Sequence, residues 1–156
     1  MDLTLTPLKG DAKTLHHWLT TFHLASVVLD PFTNESAWIL KTAARILRQF
    51  SGAAVRINFI VTCEASDARA FLGPFADEFL VFCDPDRVAV KALGLSELPA
   101  FLLIKSDGSV PAAAQGWTSA DWKEVAAAVA ALTSWSRPTI PAPGDPGSFR
   151  GTPALV

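Results

Sequence analysis

Chemistry in this chain of 156 residues rests on few side chains. Cys63 follows the apolar run 55–61, and Cys83 follows the short apolar run 79–82. Two thiols at strand ends form either a redox couple or two small buried hydrophobes, and sequence alone leaves both readings open. Two cysteines are too few for a disulfide scaffold. Asp30 ends the run Ala25-Ser26-Val27-Val28-Leu29, so it is expected to be a buried acid at a strand end. His16 and His17 are neighbours and point in different directions on a helix, and His23 lies just beyond. They do not make a metal site, and no tight Cys/His cluster has ligand spacing. No metal and no cofactor is expected.

The elements that must position these groups follow from the apolar pattern. Leu3 to Leu8 alternates as an edge strand does. Leu15, Trp18, Leu19 and Phe22 predict a first amphipathic helix over 12–22. Residues 25–30 are apolar on both faces, which suits a central strand covered by helices on each side. A loop, Pro31-Phe32-Thr33-Asn34-Glu35-Ser36, leads into a helix over 35–50, with Trp38, Ile39, Ala43, Ile46, Leu47 and Phe50 as its apolar set. Thr33 or Asn34 is placed to cap it. A strand over 55–61, a bent helix over 66–77, a strand over 79–82 and a small helix over 86–93 come next. Leu98-Pro99 opens a strand over 100–105, Asp107-Gly108 turns it, and 110–115 pairs back. A last helix over 120–132 buries Trp122, Val125, Val129 and Leu132.

Half the residues are hydrophobic and the net charge is -2. That composition suits one domain of 1–133 with an appendage. No basic run offers a nucleic-acid surface, and no apolar stretch reaches membrane-span length. The leading residues Met1 to Pro7 lack a basic start and an apolar core, so the expected compartment is the cytoplasm. From 134 the composition turns to Pro and Gly, and an extended arm over 134–156 is predicted. Trp135, Arg137 and Phe149 argue that this arm lies across its own domain or a neighbouring subunit, because disordered tails are poor in aromatics.

The strand–helix order, the position of the loop after 30, the entry through Pro99 and the terminal hairpin plus helix together resemble the thioredoxin-like superfamily. The extra helix and strand over 66–84, ending in Asp84-Pro85-Asp86, resemble its TlpA/peroxiredoxin-like branch. The resemblance implies a three-layer α/β/α sandwich with a mixed five- to six-stranded sheet, followed here by the Pro-rich tail. It also implies a cis peptide at Leu98-Pro99 and a redox Cys-x-x-Cys at the start of the helix after 30. That motif falls on Ser36-Ala37-Trp38-Ile39, and the peroxiredoxin Thr-x-x-Cys pattern falls on Thr33-Asn34-Glu35-Ser36. In both frames Ser36 stands where the attacking thiol is expected, and Ile39 stands at the second position. A helix N-terminus lowers the pKa of a thiol there, whereas a serine hydroxyl gains little and needs an adjacent base. In the family the acid at Asp30 assists the second cysteine, which is missing here. The insertion topology implies that the strands ending near Cys63 and Cys83 are parallel neighbours, with both sulfurs toward the sheet edge where open α/β sheets bind ligands.

Three functions are therefore expected in turn. The first is a non-catalytic protein-binding or structural module. Its groove is formed by Pro31, Phe32, Thr33, Asn34, Ser36, Leu98 and Pro99, and its arm offers Trp135 and Arg137 as interface residues. Its partner is a protein, including a second copy through the arm. The second is an atypical thiol–disulfide oxidoreductase using Cys63, Cys83 or both. The third is a glutathione-binding protein with Ser36 as hydrogen-bond donor.

Overall fold

The computed structural model describes residues 2–155. Met1 and Val156, the outermost residues of the predicted domain and arm, lie outside the described residues. The chain opens with β1 (Thr4–Pro7), β2 (Lys13–Thr14), the short helix α1 (Leu15–Trp18) and β3 (His23–Leu29). Next come α2 (Asn34–Gln49), β4 (Val55–Val61), α3 (Ala65–Leu72), α4 (Phe75–Glu78) and β5 (Leu80–Cys83). Then follow α5 (Val88–Ala92), β6 (Glu97–Leu98), β7 (Ala100–Ile104), β8 (Ala112–Gln115), α6 (Ser119–Thr133) and β9 (Thr152–Pro153).

Seven strands pair in the order β2-β1-β5-β4-β3-β7-β8. β3, β4 and β5 run parallel, with Leu29 opposite Val61 and Val61 opposite Cys83. β7 is antiparallel to β3, and β8 is antiparallel to β7, so β8 runs in the direction of the centre again. Side chains alternate across the sheet and build two cores. Val27, Leu29, Phe59, Phe101 and Leu103 face α2 and α6, which bring Ile39, Leu47, Phe50, Trp122 and Val129. Leu24, Val28, Ile60, Phe82 and Leu102 face the other way, against Leu15, Leu19 and Val90. Each fully buried Leu, Ile or Phe contributes roughly 1.5–3 kcal/mol of transfer free energy, so the two-sided sheet is the main source of stability.

Three sequence expectations need correction. The sheet has seven strands rather than five or six, because Lys13–Thr14 pairs with β1 and adds an edge strand. The helix expected over 12–22 is reduced to Leu15–Trp18. Thr14 caps its start, and the Thr20 hydroxyl donates to the His16 carbonyl, competing with the backbone at its end. His23 consequently begins β3 rather than following a helix. Third, the apolar faces of the helices are narrower than helical spacing predicts. Trp38 is 56% exposed, and Phe22 and Leu132 are also exposed. Trp38 lies one residue, or about 100° of rotation, from the inward Ile39.

Candidate functional site

The site is built at the C-terminal end of β3. Ser36 is in the first turn of α2, fully buried, and its Oγ accepts the Asp30 N–H at 2.9 Å. The hydroxyl is spent on joining strand end to helix start, and among the described residues no base is bonded to it. Thr33 occupies the N-cap position, but its hydroxyl donates to the Asp30 carbonyl at 2.8 Å instead of accepting from the helix. Ile39, at the second redox position, is buried in the core. Phe32 stands out from the loop, 69% exposed, between Pro31 and Thr33.

Asp30 is buried and fully partnered. Its Oδ1 accepts the Phe32 N–H at 3.1 Å, and its Oδ2 takes Arg87 Nη2 at 2.8 Å. Arg87 was not anticipated. It ends the Asp84-Pro85-Asp86 turn with φ +58°, a left-handed conformation that costs a non-glycine residue roughly 1–2 kcal/mol. Asp84 fixes that turn by accepting the N–H groups of Ala89 and Val90, both at 3.1 Å. The guanidinium's other arm, Nη1, donates to the carbonyl of Ala154 at 2.5 Å. Arg87 thus ties the acid of the central strand to the end of the chain.

The arm reaches this point along α2. Trp135 Nε1 donates to the Gln49 carbonyl, and its ring lies near Gly52. Arg137 is exposed beside it. Arg45 donates to the Thr139 carbonyl and grips Asp145 through both carboxylate oxygens, at 3.0 and 2.8 Å. Thr42 also donates to Asp145. Phe149 exchanges two backbone hydrogen bonds with Trp117 and meets the Trp38 ring edge-on at 5.5 Å. The half-exposed Trp38 is thereby explained: it is a platform for the arm.

β9 then pairs antiparallel with β6, Thr152 opposite Leu98 and Pro153 opposite Glu97. The Ala154 N–H donates to the Ser96 carbonyl at 2.9 Å. The Leu98–Pro99 peptide is cis, as is Ile140–Pro141. Gln115 presents β6 for pairing, since its side-chain oxygen accepts the N–H groups of Ser96 and Glu97. The segment before Pro99 and the Asp30–Arg87 pair therefore share one occupant, residues 151–154 of the same chain.

Cys63 and Cys83 are both free thiols. Burial pushes the Cys63 thiol up to about 12, helped by electrostatic coupling to Cys83 and by the nearby Asp67, Asp30 and Glu64. Burial also raises Cys83, with Glu64 adding to the rise and Arg69 opposing it. Neither environment makes a thiolate near neutral pH, the opposite of an activated cysteine. Among the described residues no three His, Cys, Asp or Glu side chains converge as a metal site. No helix among them is long and apolar enough to cross a membrane.

Of the site residues expected from sequence, the fold brings Pro31, Phe32, Thr33, Asn34, Ser36 and Asp30 to one strand end, and the arm brings its own end to Leu98, next to Pro99. Trp135 and Arg137 lie elsewhere, at the C-terminal end of α2. Arg87, Gly151 and Ala154 were missed. A buried acid demands a cation partner, but nothing along the sequence selects Arg87, 57 positions away, from the other cations.

No protein-family model and no curated protein matches the sequence. Solved structures do match. A secreted disulfide oxidoreductase of Mycobacterium tuberculosis, homologous to E. coli DsbE, superposes with TM-score 0.65 at 20% identity, over 84% of this chain and 96% of that one. Peroxiredoxin Q of Xanthomonas campestris gives 0.64 at 18% identity, over 85% and 90%. A hypothetical protein of Sinorhizobium meliloti 1021 gives 0.65 at 17% identity over 99% of this chain and 91% of that one, a span that takes in the arm. The fold is thioredoxin-like. Within that fold, this chain carries Ser36 and Ile39 at the helix start and its own C-terminal strand against β6.

Proposed function

We propose that this is a non-catalytic thioredoxin-like protein whose Ser36-Ala37-Trp38-Ile39 is a degenerate redox motif, and that it works by holding an extended protein segment in the groove beside Leu98 and Pro99. The observation that carries this reading is the pairing of Thr152 and Pro153 with Leu98 and Glu97. A strand added to an exposed backbone edge gains main-chain hydrogen bonds, with side-chain pockets setting selectivity. Supporting it are the buried, bonded Ser36 and the raised pKa of both thiols. The exposed Phe32, and Trp38 against the arm's Phe149, offer a partner protein aromatic contact.

The test pairs two assays on the full chain. Disulfide reduction and peroxide reduction are expected to show no acceleration over buffer, with Cys63→Ala and Cys83→Ala indistinguishable from wild type. A labelled peptide of residues 148–155 is expected to bind saturably once the chain's own arm is untethered, and glutathione is expected not to compete. Robust turnover that disappears in Cys63→Ala or Cys83→Ala would overturn the reading in favour of a relocated redox centre.

A further inference from the structure

We propose that the groove selects its occupant by a glycine and an alanine three residues apart, Gly-x-x-Ala, and that the arm is the in-chain form of a ligand that a partner protein supplies on an extended segment. The proposal rests on the reading of the groove as a strand-binding site. Gly151 is the first determinant. A Cβ on it would lie 2.8 Å from the Leu98 carbonyl oxygen and 2.9 Å from Glu97 Cβ. Its φ is not in the left-handed region, so the need for glycine here comes from contact with the groove rather than from a turn. The wall opposite is also a glycine: a Cβ on Gly116 would lie 3.0 Å from the Gly151 nitrogen. Two backbones therefore approach across a gap that no side chain fits.

Ala154 is the second determinant. It is fully buried in the aliphatic core that also holds Val90, Leu95 and Leu98, its N–H is held by the Ser96 carbonyl and its own carbonyl by Arg87. That pocket is closed by packed aliphatic side chains, and a larger residue has to displace them. Pro153, between the two, is exposed and makes no N–H bond, so its position is permissive. The groove thus reads two small residues in fixed register; of the two between them, Thr152 donates its hydroxyl to the Leu98 carbonyl and Pro153 is free to vary. A tethered arm competes at an effective concentration on the order of millimolar, so a partner segment gains entry only when the arm is displaced.

The experiment uses the full chain with a protease recognition sequence inserted after Gly147, where an added side chain meets nothing within 4 Å. The protein is cut after folding, so the arm stays seated but is no longer tethered. A labelled peptide of residues 148–155 exchanges into the groove, and unlabelled variants compete for it. The wild-type and P153A peptides are expected to compete within about threefold of each other, and the G151V and A154L peptides at least about tenfold more weakly. Equal competition by G151V and A154L would overturn the selectivity while leaving a strand groove. Failure of any peptide to exchange, with fold retained by near-ultraviolet dichroism, would remove the groove reading and this proposal together. A full-length Gly151→Val chain, which expels its own arm, repeats the series without cleavage. Dimerisation of the intact wild-type chain by arm exchange, seen by light scattering, would make the occupant a second copy and contradict a separate partner.

Discussion

At the scale of residues, the Asp30–Arg87 pair decides how the site is held. The two side chains are 4% and 16% exposed. Removing one partner of a buried pair strands the other charge and costs about 3–5 kcal/mol, more than the pair itself is worth. Arg87→Ala is therefore expected to lower unfolding stability in urea by about 3 kcal/mol. Adding Asp30→Asn to that variant is expected to recover part of the loss, and a double variant no more stable than the single would contradict the pairing. Cys63 gives a second residue-scale expectation. Its pKa is raised from the ordinary 9.0 to about 12 in the folded chain. A raised pKa favours the protonated native state, so this contribution is complete below pH 9 and is lost as pH climbs from 9 toward 12. The melting temperature of wild type is expected to fall more steeply over that range than that of Cys63→Ala, and parallel curves would contradict a buried neutral thiol. The sequence made Asp30 legible as a buried acid because it ends an apolar strand. Arg87 was illegible because its role arises from a turn conformation and a tertiary contact, neither of which leaves a local pattern.

At the scale of elements, the same contrast holds. α2, β4, β7 and α6 were readable from period and caps, since each buries a face long enough to set its own register. β2 and β9, two residues each, carry no period at all and exist only through their partners. The arm's course along α2 depends on Arg45, Thr42 and Asp145, whose carboxylate side chain is 4% exposed. Asp145→Ala leaves Arg45 without its bidentate partner and releases the 139–148 turn. Limited proteolysis in that turn is expected to accelerate at least about tenfold relative to wild type, reflecting loss of a charge-assisted bond of roughly 1.5–3 kcal/mol. Unchanged cleavage would show that Phe149 and β9 alone fix the arm. Trp38 belongs to this scale too. Helical spacing put it in the core, whereas the covering surface it serves comes from Phe149, 111 positions later, and no helical wheel contains that residue.

At the scale of the whole molecule, the arm changes what the fold presents. A thioredoxin-like sheet with its helix start and Pro99 segment open would offer an accessible edge. Here residues 151–154 fill that place, Trp117 and Phe149 bridge it, and Arg87 closes it. The thioredoxin-like architecture was legible because several elements agree in order, even though each motif is weak alone. The pairing of residues 152–153 with β6 was not, because the tail's aromatics predict an arm lying on its own domain or a neighbour without selecting the strand it meets. Amide hydrogen exchange at Ala154 in the native full-length chain tests this occupancy most directly. The account predicts strong protection, lost in Gly151→Val while the β3 and β4 amides stay protected; exchange of the wild-type Ala154 amide at the rate of an unstructured peptide would contradict it.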